Sequence, residues 1–172
     1  MTAVVLIALL AALLVPIFTS LREKMEFARC SANMRTLYAA SHSYLQDHEQ
    51  WPQIPSKLIK SDPEQYAELW IKALSPYQVS EQSWHCPTVQ RAIDAAAAAP
   101  SDDSNDKQKK KKYEKRVDYF ATPFDDKRMT PLRWPKQPWF IERGDVHGRG
   151  NLMIFTDGTI GELSDLMRRK GT

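Results

Sequence analysis

Two absences shape the chain before any motif does. No charged side chain occurs before Arg22, and only two cysteines, Cys30 and Cys86, occur in 172 residues. Two cysteines so far apart in sequence do not make a zinc site, which calls for three or four clustered ligands. No glycine-rich loop introduces a helix, so no phosphate cradle is legible. No serine or cysteine sits in a recognisable nucleophile motif, and the chain reads as non-catalytic, without a cofactor or metal. A net charge of +3 is too small to argue for a nucleic-acid partner.

What is present at the start is apolar. Ala3 to Phe18 reads AVVLIALLAALLVPIF, hydrophobic on every helical face. Such a helix belongs in a large core or in lipid, and a chain of this size offers no such core. The charge-free stretch 1–21 would span about 30 Å as a helix, enough for a bilayer. Pro16 falls inside it, where a membrane helix kinks rather than breaks. A cleaved signal peptide fits less well, because a positive n-region is missing and Ile17-Phe18-Thr19-Ser20 is a poor cleavage site.

Residues 22–49 contain neither glycine nor proline. Phe27, Cys30, Met34, Leu37, Ser41 and Tyr44 or Leu45 recur at spacings of three and four, an amphipathic stripe. Arg22, Glu23, Glu26, Arg29 and Arg35 fall mostly off it. Helix signals stop at Trp51-Pro52. The expectation is one helix over about 1–45, with lipid holding its first half and a packed domain its second.

Farther on, Asp62-Pro63-Glu64 is a helix start, and Tyr66, Leu69, Trp70 and Leu74 give an apolar face, which predicts a helix over 63–74. Residues 95–116 (AAAAAPSDDSNDKQKKKKYEKR) form a low-complexity, solvated loop. Its basic block, with Lys109, Lys110, Lys111 and Lys112, could dock electrostatically on an anionic surface. Asp102, Asp103, Asn105 and Asp106 lack the spacing of a calcium loop.

Val117 to Ala121 alternates like a strand. Asn151–Thr156 and Thr159–Leu163 flank Asp157-Gly158, a pair that predicts a hairpin through a type I′ turn. Trp134, Trp139 and Phe140, separated by prolines, read as an extended segment crossing the sheet. His147 and Asp157 read as structural rather than as an acid–base pair, with His147 bonding around the DG turn or the chain entering it. His85 and Cys86 are adjacent, so their side chains diverge and no dyad forms there. His42 and His48 read as helix-surface residues.

Several of these segments together resemble the type IV pilin and type II secretion pseudopilin superfamily, and more closely its prepilin-type H-X9-DG branch. Ala11-Ala12-Leu13-Leu14-Val15-Pro16 is similar to the family's AALLLP, and Arg22-Glu23-Lys24 to the basic stretch after it. Cys30-Ser31-Ala32-Asn33-Met34-Arg35 resembles C-x-x-N-L-[KR]. Trp51-Pro52 resembles the aromatic-Pro that closes the helix, and His85-Cys86-Pro87 the CP element of Cys86 and Pro87. His147, nine residues and then Asp157-Gly158 reproduce H-X9-DG. Family members begin with a basic leader, a cleavage glycine and F-T-L-x-E. With Pro16 aligned to the usual proline, this chain starts inside the mature helix, and those features have no counterpart.

The resemblance implies an α+β, pilin-like fold, a long N-terminal helix packed on a small antiparallel β-sheet. Residues 1–21 would be the transmembrane and assembly half of the helix, 22–50 its amphipathic half, and 51–172 the globular domain. It implies a structural subunit of a type IV pilus or type II secretion-like system. Its partners would be other pilin-like subunits, the assembly platform and membrane lipid. The domain would face the periplasm from a single pass in the bacterial inner membrane. Arg22, Lys24 and Arg29 alone would argue the opposite orientation by the positive-inside rule. In an oxidising compartment Cys30 and Cys86 would form a disulfide worth about 3–4 kcal/mol; two buried thiols are the alternative. The rival function is a monomeric, membrane-anchored periplasmic binding domain whose contacts are the Lys-rich loop and exposed tryptophans.

Overall fold

The structure, a computed structural model, describes residues 2–98, 115–127, 130–134, 136–148 and 150–165, with side chains from residue 17 onward. Residues 1–16 of the expected membrane half, with the kink at Pro16, the lysines 109–112 and residues 102–106 lie outside these described side chains. Among the described residues no helix is long and apolar enough to cross a membrane.

Helix α1 runs over Thr2–His48, about 70 Å at 1.5 Å per residue. It ends where Glu49 takes a left-handed conformation (φ 55°) and its N–H returns to the Leu45 carbonyl at 2.8 Å. That is a C-terminal αL cap made without glycine. The predicted stripe is the buried face: Cys30, Met34, Leu37, Ser41 and Leu45 are buried, and Phe27 is half-buried against the core. Glu26 departs from the expectation. It is buried because its carboxylate takes hydrogen bonds from Arg22 (3.2 Å), Thr88 (3.0 Å) and Arg91 (2.9 Å).

A short helix α2 (Leu58–Ser61) precedes α3 (Pro63–Leu74), which has the predicted bounds. Asp62 caps α3 by accepting the Gln65 N–H at 3.0 Å, and Pro63 occupies the first turn, where its missing N–H costs nothing. Helix α4 (Pro87–Ala98) was not anticipated. Its alanine-rich end had been assigned to the charged loop, although alanine is the strongest helix former.

Four strands, β1 (Tyr119–Ala121), β2 (Pro138–Glu142), β3 (Leu152–Phe155) and β4 (Ile160–Glu162), form an antiparallel sheet in chain order. The sheet packs on the 17–48 part of α1. Strand β2 is central, and the extended segment expected to cross the sheet is therefore part of it. Its register slips between Pro138 and Phe140. Such a bulge puts two successive side chains on the buried side, and Trp139 and Phe140 are both fully buried.

The core is aromatic. Trp51 meets Trp139 at 5.2 Å and Trp70 at 5.7 Å between ring centroids, and Phe140 lies 5.9 Å from Trp70 and 6.0 Å from Trp84. Ring pairs of this kind add about 0.5–1.5 kcal/mol each beyond area burial. Four of the five tryptophans are thus interior, and only Trp134, 62% exposed, remains on the surface. The expectation of exposed tryptophans as a contact surface is corrected accordingly.

The hairpin at Asp157-Gly158 forms, but not through a type I′ turn. Gly158 has φ 76°, whereas Asp157 is not in the positive-φ region. The Gly158 N–H donates to the Phe155 carbonyl and the Phe155 N–H to Thr159, both at 2.9 Å. This is a three-residue loop with glycine at the left-handed position. Asp157 Oδ1 accepts from the Thr159 N–H (2.9 Å) and hydroxyl (2.6 Å), so the aspartate is a turn residue.

Candidate functional site

Four chain segments bring four chemically distinct side chains together beside α1. Cys30 comes from the buried stripe of the helix. Cys86 stands at the head of α4, where its carbonyl accepts the Gln90 N–H at 2.9 Å. Glu142 ends β2, two residues after Phe140 and across from Tyr119 on β1. His147 belongs to the loop between β2 and β3. Their ligand-type atoms all lie within 4.8 Å of one another. The two sulfurs are 2.8 Å apart, and both cysteines are buried.

The supports of this cluster are polar and buried. Asp118 Oδ2 accepts the Cys86 N–H at 2.8 Å, and Asp118 is held in turn by Arg116 Nε at 3.1 Å. Arg116 also donates to Gln90 on α4 at 2.8 Å. Backbone bonds from Asp118 to Trp84 and from Arg143 to Asp118 fix β1 between the Cys86 segment and β2. Asn33 donates to the His85 carbonyl at 2.9 Å, tying α1 to the same segment. The Asn151 side chain donates to the Glu142 carbonyl at 2.9 Å and closes the loop that carries His147.

The electrostatics are unusual for a core. Glu142 is 1% exposed, and neither carboxylate oxygen has a hydrogen-bond partner. Among the described residues the positive group it faces is His147, whose Nε2 is 3.4 Å from Oε1 and likewise without a well-aligned bond. Proximity to Cys86 and Glu142 raises the His147 imidazole to about 10, against the opposing effect of burial. The Cys86 thiol is held below its ordinary value by a hydrogen bond from Cys30, helped by His147 and the Val89 N–H. Cys30 moves up in consequence, because it shares that contact with Cys86 and is buried. Tyr119, buried beside Cys30, is also raised.

His147 is therefore not at the DG turn. It stacks edge-on against Phe27 at 5.4 Å, whereas the turn packs on Tyr38, whose hydroxyl donates to the Thr156 carbonyl at 2.8 Å. Phe27 and Tyr38 are about 16 Å apart along the helix at 1.5 Å per residue. The nine residues between His147 and Asp157 carry β3 along that span, and the histidine and aspartate sit at its two ends. No acid–base pair joins them. A cavity of about 520 Å³ lies against His147, lined by Glu23, Lys24, Phe27, Thr88 and Arg91.

His85 is not among the groups gathered at the sulfurs; burial and Arg116 lower its pKa. His42 is half-buried beside Trp139, and His48 stacks on Tyr44 at the helix end. Glu142 was missed in the sequence because an acidic residue after an aromatic strand reads as its solvated end. Its alternation with Phe140 was the available signal. Comparison with known families, with characterised proteins and with solved structures finds no match for the chain.

Proposed function

We propose that this protein is a pilin-like or pseudopilin structural subunit of a type IV pilus or type II secretion-like system, acting through assembly rather than catalysis. The observation that carries this reading is the lower part of α1. Ile17, Phe18, Leu21 and Met25 are 61%, 67%, 53% and 52% exposed. They continue the apolar run of residues 3–16 onto a stretch of helix that the globular domain leaves uncovered. An apolar stripe of this kind marks a surface that lipid or another chain covers. The α+β arrangement, with the amphipathic half of a long helix laid on an antiparallel sheet, suits a domain displayed from such a helix.

In this reading residues 1–21 hold the subunit in the inner membrane and then pack against equivalent helices, with the domain on the periplasmic side. The rival, a monomeric anchored binding domain, has lost most of its proposed tryptophan surface to the core. Replacing Ile17 and Leu21 together with Asp tests the proposal, since neither supports the domain. Loss of co-purification with pilin-like subunits, with the unfolding midpoint of the domain unchanged, is the expected result. Unaltered co-purification would count against assembly through α1.

A further inference from the structure

Among the described residues Glu142 is the carboxylate whose two oxygens are both cut off from solvent and without a hydrogen bond. A Cys30–Cys86 disulfide would account for two of the cluster's four groups. It would leave the Glu142 carboxylate, 1% exposed, with both oxygens short of donors, and His147 Nε2 facing it at 3.4 Å. A cation at the centre would engage all four. Two sulfurs, an imidazole nitrogen and a carboxylate oxygen, within 4.8 Å of one another, are a donor set of the kind Zn²⁺ takes in four-coordinate sites.

We propose that Cys30, Cys86, Glu142 and His147 form a structural binding site for a divalent transition-metal ion of the zinc class. The ion joins α1, the head of α4, the end of β2 and the loop before β3, four segments with no other covalent tie. Four protein ligands leave no open position, so the site holds the fold rather than activating water. Zinc–sulfur bonds of about 2.3 Å in a tetrahedron hold two sulfurs roughly 3.8 Å apart. The cysteine side chains must therefore open from their present contact as the ion enters. Both cysteines bind as thiolates and His147 as neutral imidazole, so binding releases protons. The Cys86 sulfur also faces the amide of Val89, and the Cys30 sulfur faces the Tyr119 hydroxyl. Outer partners of this kind orient and charge-balance thiolate ligands. The site does not depend on the subunit reading, and either can fail alone.

The test uses the full chain in detergent, purified without oxygen, freed of metal with a chelator, and titrated with Co²⁺ and then Zn²⁺. The expected result is one Co²⁺ per chain, with thiolate-to-cobalt charge-transfer absorption and tetrahedral ligand-field bands that one equivalent of Zn²⁺ removes. His147→Ala and Glu142→Gln should each weaken Co²⁺ binding at least tenfold, with an unchanged far-ultraviolet circular dichroism spectrum. Absence of a stoichiometric thiolate–cobalt spectrum in the wild-type chain would overturn the proposal. So would wild-type affinity in both variants. So would a Cys30–Cys86 disulfide in protein taken from its host cells with its thiols trapped at lysis.

Discussion

The two ends of the contact between α1 and the sheet are built on different principles. At one end Trp51, Trp70, Trp84, Trp139 and Phe140 fill the space with rings, and Tyr38 meets the turn after β3. At the other, Cys30, Cys86, Glu142 and His147 meet across four segments. Both ends hold polar atoms without partners. At the aromatic end these are the Ser41 hydroxyl and the indole N–H groups of Trp51, Trp70 and Trp84, all neutral. At the sulfur end they include a carboxylate. An unpaired neutral donor costs about 1–3 kcal/mol, whereas a buried ionised carboxylate without compensation costs far more. The aromatic end thus leaves only neutral groups unpaired, whereas the sulfur end sets a buried carboxylate against a single imidazole and two sulfurs.

The largest expected effects separate the two ends. Trp139→Ala should lower unfolding free energy by about 3–5 kcal/mol in denaturant titrations while leaving Co²⁺ binding at the sulfur end intact. Asp118→Ala should cost about 1–3 kcal/mol, because it leaves the buried Cys86 N–H without its acceptor and takes one carboxylate from Arg116. Unlike the tryptophan variant, it should also weaken metal binding, since it frees the Cys86 backbone. Equal effects of both variants on metal binding would erase the distinction between the ends.

A smaller effect belongs to Tyr66, whose hydroxyl accepts the Ala121 N–H at 3.2 Å and whose pKa burial raises to about 12. Tyr66→Phe leaves that N–H unpaired and should cost about 1–3 kcal/mol at neutral pH. The folded pKa lies above the ordinary 10, so this stabilisation is fully present below pH 10 and is lost as pH rises towards 12. The variant should show a shallower stability loss across that window in alkaline unfolding titrations.

Much of the helical frame was legible in the sequence because its signals are local. The stripe from Phe27 to Leu45 and the Asp62-Pro63 start each need only a few neighbouring residues. The hairpin was legible from Asp157-Gly158, but its turn type was not, because the choice between turns depends on how β3 and β4 register. The sulfur cluster was the least legible part. Cys30 and Cys86 are separated by 56 positions and joined with Glu142 and His147 only through the sheet. Sequence spacing carries no sign of such a meeting, since the imidazole that lies beside Cys86 in space is His147 and not its sequence neighbour His85.

Gly158→Ala bears on the aromatic end at lower cost. Its φ of 76° is unfavourable for alanine, and the added Cβ would come within 3.3 Å of the Tyr38 ring. A loss of about 1–2 kcal/mol is expected from the left-handed conformation, read as a shift in the denaturation midpoint.

The assembly role rests on what covers the exposed stripe of α1, and photocrosslinking at Leu21 in the host cell reads that directly. With a photoreactive residue at position 21 in the full chain expressed from its own locus, the expected products are adducts between copies or with another pilin-like subunit. A chain that yields only adducts to lipid, or none, while those subunits are present and assembled would contradict the assembly role.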